Sequence, residues 1–375
     1  MNRSTFLLPL LGAIACDPLP KNAGEVDTDT DTGASATDSA DSGDRPPPFP
    51  TQGFSLGEGQ LITHLVASDL GVVAVILAGE APYDITVTEY DATMTEAWSL
   101  SLGEGDIRDL AALPEGGFVV GGAEGTTAAA WRLSCCGTIE DQQQYPTMSG
   151  APAAITVAQP LAGGVFLVRD AGAFEPDFIS ADLDLVPVTV TTAPGFSVVD
   201  GAVSPSGTVI LSASEGGEAH LIYEVEPDGT GSGVGPGEAF RLVGTGADLT
   251  MVTLSNPDGI NVRDWESGPV IAVNVPDMVT LPSHTFEADR REHYAIAHPV
   301  EHADINQVFT HLAEFESDGT LIRQGSLAGG GQLVVEPAAV AIANDGATWV
   351  ATKESPTGAE MLPNVAGMLQ RLQPL

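Results

Sequence analysis

The residues best equipped for chemistry are few and scattered. Cys135 and Cys136 are adjacent. In an oxidising compartment such a pair could form a vicinal disulfide. Adjacent Cα atoms lie about 3.8 Å apart, below the usual disulfide range, so that bridge would be strained and would act as a local turn staple. Five of the seven histidines fall between His284 and His311. Within that run, His298-Pro299-Val300-Glu301-His302 with Asp304 offers imidazoles and carboxylates of the kind that hold Zn²⁺. The proline argues against a helix presenting both imidazoles on one face, so surface or strand-edge histidines are the plainer reading and no metal ligand is assigned. The chain contains no P-loop and no H-E-x-x-H. The glycine run from Gly229 to Gly237 lies between strand signals with no helix after it, which does not suit a dinucleotide. No catalytic residue and no cofactor is assigned.

The elements that must position these residues repeat. Ser101 to Gly137 reads as short β segments, Ile107–Leu113, Phe118–Val120 and Ala128–Leu133, separated by turns at Pro114-Glu115-Gly116-Gly117 and Ser134-Cys135-Cys136-Gly137. The first turn returns at Asp69-Leu70-Gly71, Ala162-Gly163, Ser206-Gly207, Asp258-Gly259 and Asp345-Gly346, with a degenerate copy at Ala288 to Arg291. The second returns at Asp228-Gly229-Thr230, Pro276-Asp277 and Asp318-Gly319-Thr320. The spacing is about 45 residues, the period of a four-stranded β-propeller blade. Seven copies of the first turn predict an all-β, seven-bladed propeller of four-stranded antiparallel blades. Phe54 to Gln60 matches Leu100 to Asp106, a fourth strand, and Met368 to Pro374 ends on a third strand. An N-terminal strand is therefore expected to complete the last blade and cover its open edge.

In such a fold, the connections between second and third strands vary most, at Arg169–Asp177, Asp264–Pro269, His298–Asn306 and Lys353–Val365. Variable loops on a rigid scaffold are where binding concentrates. Arg169, Trp265, His298 and His302 are the candidate binding-face residues.

Residues 1–15 read as a signal peptide: Arg3, an apolar Phe6–Ile14 core and Ala13-Ile14-Ala15 before the cut. About nine apolar residues are too few to span a bilayer, where roughly 20 are needed. Leu11 to Cys16, LGAIAC, resembles the lipobox of bacterial lipoproteins, which implies a lipid on Cys16. An ordinary secretory site predicts the same cut. Residues 16–50 are rich in Asp, Thr, Ser and Pro and read as a solvated tether. Its Asp27 to Asp38 segment echoes a calcium loop, but the glycine is seventh rather than sixth and the last acid is Asp rather than Glu. Residues 51–375 form the propeller domain.

The formal charge is −38. Residues 51–375 hold ten Lys/Arg against 43 Asp/Glu. So acidic a surface repels phosphate backbones, which excludes nucleic acid as a partner. Asp91 to Trp98 (DATMTEAW) and Ser317 to Ile322 (SDGTLI) resemble turns of quinoprotein-like and WD40-like propeller repeats. In the quinoprotein family a tryptophan at the place of Trp98 recurs and locks neighbouring sheets; the other fourth strands here have none. The expectation is an exported, lipid-anchored monomer on the periplasmic face or cell surface. It would bind an envelope protein or a glycan, although aromatic residues are only 6 % and leave few rings for stacking a sugar. The alternatives are a secreted form, or an enzyme (hydrolase, lyase or quinone-linked oxidoreductase) working from the variable loops.

Overall fold

A computed structural model describes residues 51–374 other than 173–175, 194, 196, 205, 216–218, 227–230, 237–238, 245–248, 256–258, 265–270, 275–284, 289–292, 303–306, 328–333 and 356–364. The described residues contain no helix. The first strand, β1 (Thr51–Glu58), stands apart and is taken up last. After it come β2 (Gln60–Ala67), β3 (Gly71–Ala78), β4 (Tyr83–Asp91) and the long β5 (Glu96–Ala112). β5 belongs to two quartets of strands: its first half pairs with β4 and its second half with β6 (Phe118–Glu124). β7 (Thr127–Leu133) and β8 (Ile139–Gln144) finish the second quartet.

Three separate four-stranded antiparallel sheets follow. They are β9 (Ala154–Leu161), β10 (Gly164–Asp170), β11 (Asp177–Asp182) and β12 (Pro187–Thr192); β13 (Ser197–Val203), β14 (Val209–Glu215), β15 (Ala219–Val225) and β16 (Gly231–Pro236); and β17 (Ala239–Gly244), β18 (Leu249–Ser255), β19 (Gly259–Asp264) and β20 (Ile271–Asn274). The sixth quartet is β21 (Thr285–Ala288), β22 (Tyr294–His302), β23 (Gln307–Phe315) and β24 (Leu321–Ser326). In the last, β25 (Val334–Ile342), β26 (Thr348–Ser355) and β27 (Ala366–Leu372) are joined by β1, which runs antiparallel to β27 from Thr51↔Leu372 to Glu58↔Ala366. The first strand of each quartet packs against the first strand of the next, and β25 packs against β2.

Why the strands fold this way is visible in their composition. β3 is GVVAVILA, buried at every residue but the last. With period two, its side chains divide between two interfaces. Val73, Val75 and Leu77 pack with Ile107, Phe118, Val120 and Trp131 of the next quartet. Val72, Ala74 and Ile76 pack with Ala341, Trp349 and Leu369 of the last. Every such Val or Ile stabilises the assembly by about 1.5–3 kcal/mol. The outer strands read differently: β8 is IEDQQQ and lies largely in solvent. At the turn into β6, Gly117 has φ +83, and a Cβ there would stand 2.2 Å from the carbonyl oxygen of Leu133, so only glycine fits.

The turn assignments need correction in the fifth quartet. Gly259 opens β19, so it follows the second strand, whereas the first-to-second connection is 245–248. Asp264 ends the third strand, so Asp264–Pro269 is a third-to-fourth connection, and Pro276-Asp277 falls after β20. Glycines at 244, 246 and 259 each offer a turn, and glycine by itself does not say which one the chain uses. The degenerate copy at 288–291 does fall between β21 and β22.

Candidate functional site

One irregularity recurs on the first strands. In β2 the register jumps from Ile62↔Ile76 to His64↔Val75, leaving Thr63 as an extra residue. The same β-bulge sits at Arg108 in β5, Thr156 in β9, Val199 in β13, Phe240 in β17 and Ala338 in β25. A bulge re-aims the extra side chain and bends the strand. Arg108 is 57 % exposed and Val199 53 % exposed, although both belong to first strands flanked by other first strands. The solvent they meet is therefore the surface on which the first strands gather.

The residue after the bulge locks that surface. Asp109 accepts hydrogen bonds from the backbone N–H of Ala158 (2.7 Å) and from Gln159 Nε2 (3.1 Å), both on the first strand of the following quartet. Asp200 accepts from Leu242 N at 2.7 Å in the same way, again one quartet on. Beside the exposed Val199, the polar side chains on and next to the first strands are mixed in charge, the Lys353–Glu336 pair being half-buried. Arg108 pairs with Asp106 at 2.6 Å, Lys353 with Glu336 at 3.5 Å, and His64 Nδ1 lies 2.9 Å from Thr63 Oγ1. Such a surface offers hydrogen bonds in both directions, on a frame held by inter-sheet clasps.

The candidates singled out from sequence lie elsewhere. Arg169 Nε donates to Asp177 Oδ2 at 2.9 Å, and its Nη1 donates to the carbonyls of Tyr145 (3.1 Å) and Pro146 (2.6 Å). Its side chain is 14 % exposed and clamps the ends of β10 and β11. His298 is a residue of β22, not of a loop; it is 1 % exposed and faces His311 across the strand pair, ring centroids 5.8 Å apart. His302 closes β22 opposite Gln307. Trp265 and Cys16 lie outside the described residues. Cys135 is an exposed free thiol whose sulfur stands 3.7 Å from that of Cys136, well beyond the roughly 2.05 Å of a disulfide. In this arrangement the two sulfurs are not joined to each other, and Ser134 holds the turn. Its Oγ accepts from the backbone N–H of Cys136 (3.2 Å) and Thr138 (3.1 Å). Trp98 Nε1 donates to Cys135 O at 3.2 Å, and the indole lies so close over Gly137 that a Cβ there would meet it at 2.4 Å. Trp98 thus ties the first quartet to the second. Gly53-Phe54-Ser55-Leu56-Gly57 spells G-x-S-x-G, but it runs along β1 beside β27, without the strand-to-helix turn that a nucleophile elbow requires.

Another cluster of ionisable groups is buried. Glu314 is fully buried in β23 and receives Arg323 Nε (2.7 Å) and Nη2 (2.9 Å), with His293 Nε2 at 3.3 Å. Arg323 Nη1 also donates to Gln373 O at 3.0 Å, beyond the end of β27. Burial pushes the Glu314 carboxyl up, but His293 and Arg323 outweigh it and hold it below the ordinary value. This is an ionised carboxylate committed to joining two quartets. Among the described residues, no group of three His, Cys, Asp or Glu side chains is placed to hold a metal ion.

The bulges had a trace in the sequence that the repeat alignment passed over. Buried residues in β2 and β5 fall three apart at the bulge, Ile62 to Leu65 and Ile107 to Leu110, where an uninterrupted strand would place them two apart.

No family model and no curated protein sequence matches the chain. Solved structures do. The WD40 β-propeller domain of Doa1 is 12 % identical with a TM-score of 0.52, over 84 % of this chain and 94 % of that one. The Dos1 propeller is 7 % identical with a TM-score of 0.52, over 87 % and 94 %. A Bacteroides caccae protein of unknown function is 12 % identical with a TM-score of 0.45, over 72 % and 94 %. At such identities the likeness concerns the fold alone, and the fold is a β-propeller.

Proposed function

We propose that this chain is a binding or scaffold module of the bacterial cell envelope, exported and held by a lipid on Cys16, with its ligand surface on the gathered first strands. The recurrent bulge carries the reading. Six first strands spend a residue at the same place, and the residue after it clasps the next sheet at Asp109 and Asp200. A preorganised rim of that kind suits recognition of a polar ligand, a glycan or an envelope protein. Full-length protein on a glycan array and in cross-linking to envelope fractions should give specific partners. Arg108→Ala with Val199→Asp should lose them; partners retained by that variant would refute this placement of the surface.

The seven quartets are proposed to close into a ring, β1 completing the last blade. The β1–β27 ladder and the packing of β25 on β2 support closure. Deleting residues 53–56 should lower the melting temperature; an unchanged melt would refute closure by β1. The LGAIAC match ahead of a stretch rich in Asp, Thr and Ser supports the lipid. Intact mass of protein from native membranes should give a chain starting at Cys16 with a lipid-sized excess. A bare mature chain would make the protein secreted.

A further inference from the structure

Away from the first strands, the outermost strand of the third quartet presents an unusual edge. β12 ends its sheet, and among the described residues it pairs with β11 alone. Eight large hydrophobic side chains are exposed among the described residues, and three of them lie here: Val186 (52 %) just before β12, and Val188 (68 %) and Val190 (54 %) within it. Val190 alternates with Thr189 and Thr191 in the regular part of the strand, whereas Val188 is the extra residue of a β-bulge, between the pairs Ser180↔Thr189 and Ala181↔Pro187. From Leu185 to Val199 the chain carries no charged residue, in a domain with 43 acidic residues. Native edges are commonly guarded by charges or bulges; this one has no charge, a β-bulge at Val188, Pro187 at its start and Pro194 beyond its end. The bulge and the prolines limit added pairing to a short stretch, Thr189–Thr192.

The charges around it are one-sided. Asp182 and Asp184 flank the turn into β12, with Asp184 exposed. Arg132 Nη1 donates to Leu183 O at 3.0 Å, and its Nη2 pairs with Glu140 at 3.1 Å. That contact brings Glu140 of the second quartet to the same end of the strand. The rim at the Val186 end is therefore acidic. A second copy of this chain would bring its own acidic rim and the domain's large negative charge.

We propose that β12 is a docking edge for an extended segment of another protein, one with alternating β-branched residues and a Lys or Arg at the end that reaches Asp182, Asp184 and Glu140. The segment adds a fifth strand beside Thr189–Thr192, past the bulge: backbone groups of β12 supply the affinity, the exposed Val188 and Val190 side chains supply apolar contact, and the acidic rim selects the polarity of the ends. This surface is distinct from the one proposed for the first strands, and the failure of either leaves the other standing.

The test is fluorescence anisotropy of the full-length protein with a labelled Lys-Val-Thr-Val-Thr-Val-Lys peptide, beside the same peptide flanked by Glu. The lysine peptide should bind saturably, about tenfold more tightly than the glutamate one, with an advantage that shrinks as salt is raised. Val188→Lys with Val190→Lys should abolish binding at an unchanged melting temperature, since both positions face solvent. Asp184→Lys should weaken the lysine peptide alone. Equal affinity for both peptides, or no saturable binding of either, overturns the proposal. So does a dimer of the full-length protein in sedimentation velocity that Val190→Lys dissolves, because a second copy would then be the occupant.

Discussion

Glu89 and Glu314 are two solutions to one problem. Each lies near the end of a third strand, β4 or β23, buried at 3 % and 0 % exposure, and each reaches a residue beside the first turn of its own quartet: Ser68 for one, His293 for the other. Glu314 meets Arg323 and His293, and its carboxyl is held below the ordinary value of 4.5. Glu89 meets no basic side chain among the described residues. Burial pushes its carboxyl above 4.5, hydrogen bonds from the Ser68 and Trp98 side chains pull it back in part, and the charges of Asp69 and Asp91 push it further up. Its Oε2 has no hydrogen-bond partner among the described residues. The same side chain at a similar place is thus half of an ion pair with Arg323 in one quartet and a carboxyl penalised by burial in another. Burial alone does not say whether a carboxylate stabilises; the groups facing it do.

The largest effect expected from this contrast is at Glu314. Glu314→Gln leaves Arg323 and His293 facing a neutral amide in a buried place, and should cost about 3 kcal/mol, the lower end for breaking a buried pair. Urea unfolding at pH 7 checks it. A loss below about 0.5 kcal/mol would mean that Arg323 reaches solvent when its partner is removed.

The pH dependence separates the two carboxylates next. Since the folded Glu314 carboxyl titrates below 4.5, its contribution is present above that pH and fades as pH falls through the lowered folded value. Since the folded Glu89 carboxyl titrates above 4.5, its penalty sets in as pH rises from 4.5 through the raised folded value, and is absent in acid. The difference in stability between the parent and Glu314→Gln should therefore narrow in acid, as should that between the parent and Glu89→Gln, with opposite signs. Parallel curves for either variant across that range would break the comparison.

The smallest effect is at Glu89 itself. Glu89→Gln should stabilise by up to about 1 kcal/mol at pH 7 and by nothing well below pH 4.5. A destabilised variant at pH 7 would show that the hydrogen bonds from Ser68 and Trp98 outweigh the burial of the charge.

Much of the architecture could be read from sequence because turn chemistry is local. The Gly116-Gly117 and Gly137 turns stand where the repeat puts them, and the likeness of Phe54–Gln60 to a fourth strand anticipated the β1–β27 ladder. The fifth quartet defeated the same method, because several glycines compete there and none has a neighbour that singles it out. Arg169 read as a loop residue because an arginine beside a variable stretch resembles a free binding group. The structure turns it inward onto Asp177 and two carbonyls that lie far from it in sequence.

What the sequence by itself determined is whatever depends on residues within one turn or one strand: the all-β class, the period, the apolar central strands and the acidic character of the surface. Pairing across sheets was decided only by the tertiary structure. Asp109 and Asp200 became clasps, Glu314 an ion pair, Glu89 a penalty and Val186–Val190 an open edge because of what the neighbouring strands put opposite them. A residue's type sets which interactions it can make, and the packed fold sets which of them it finds.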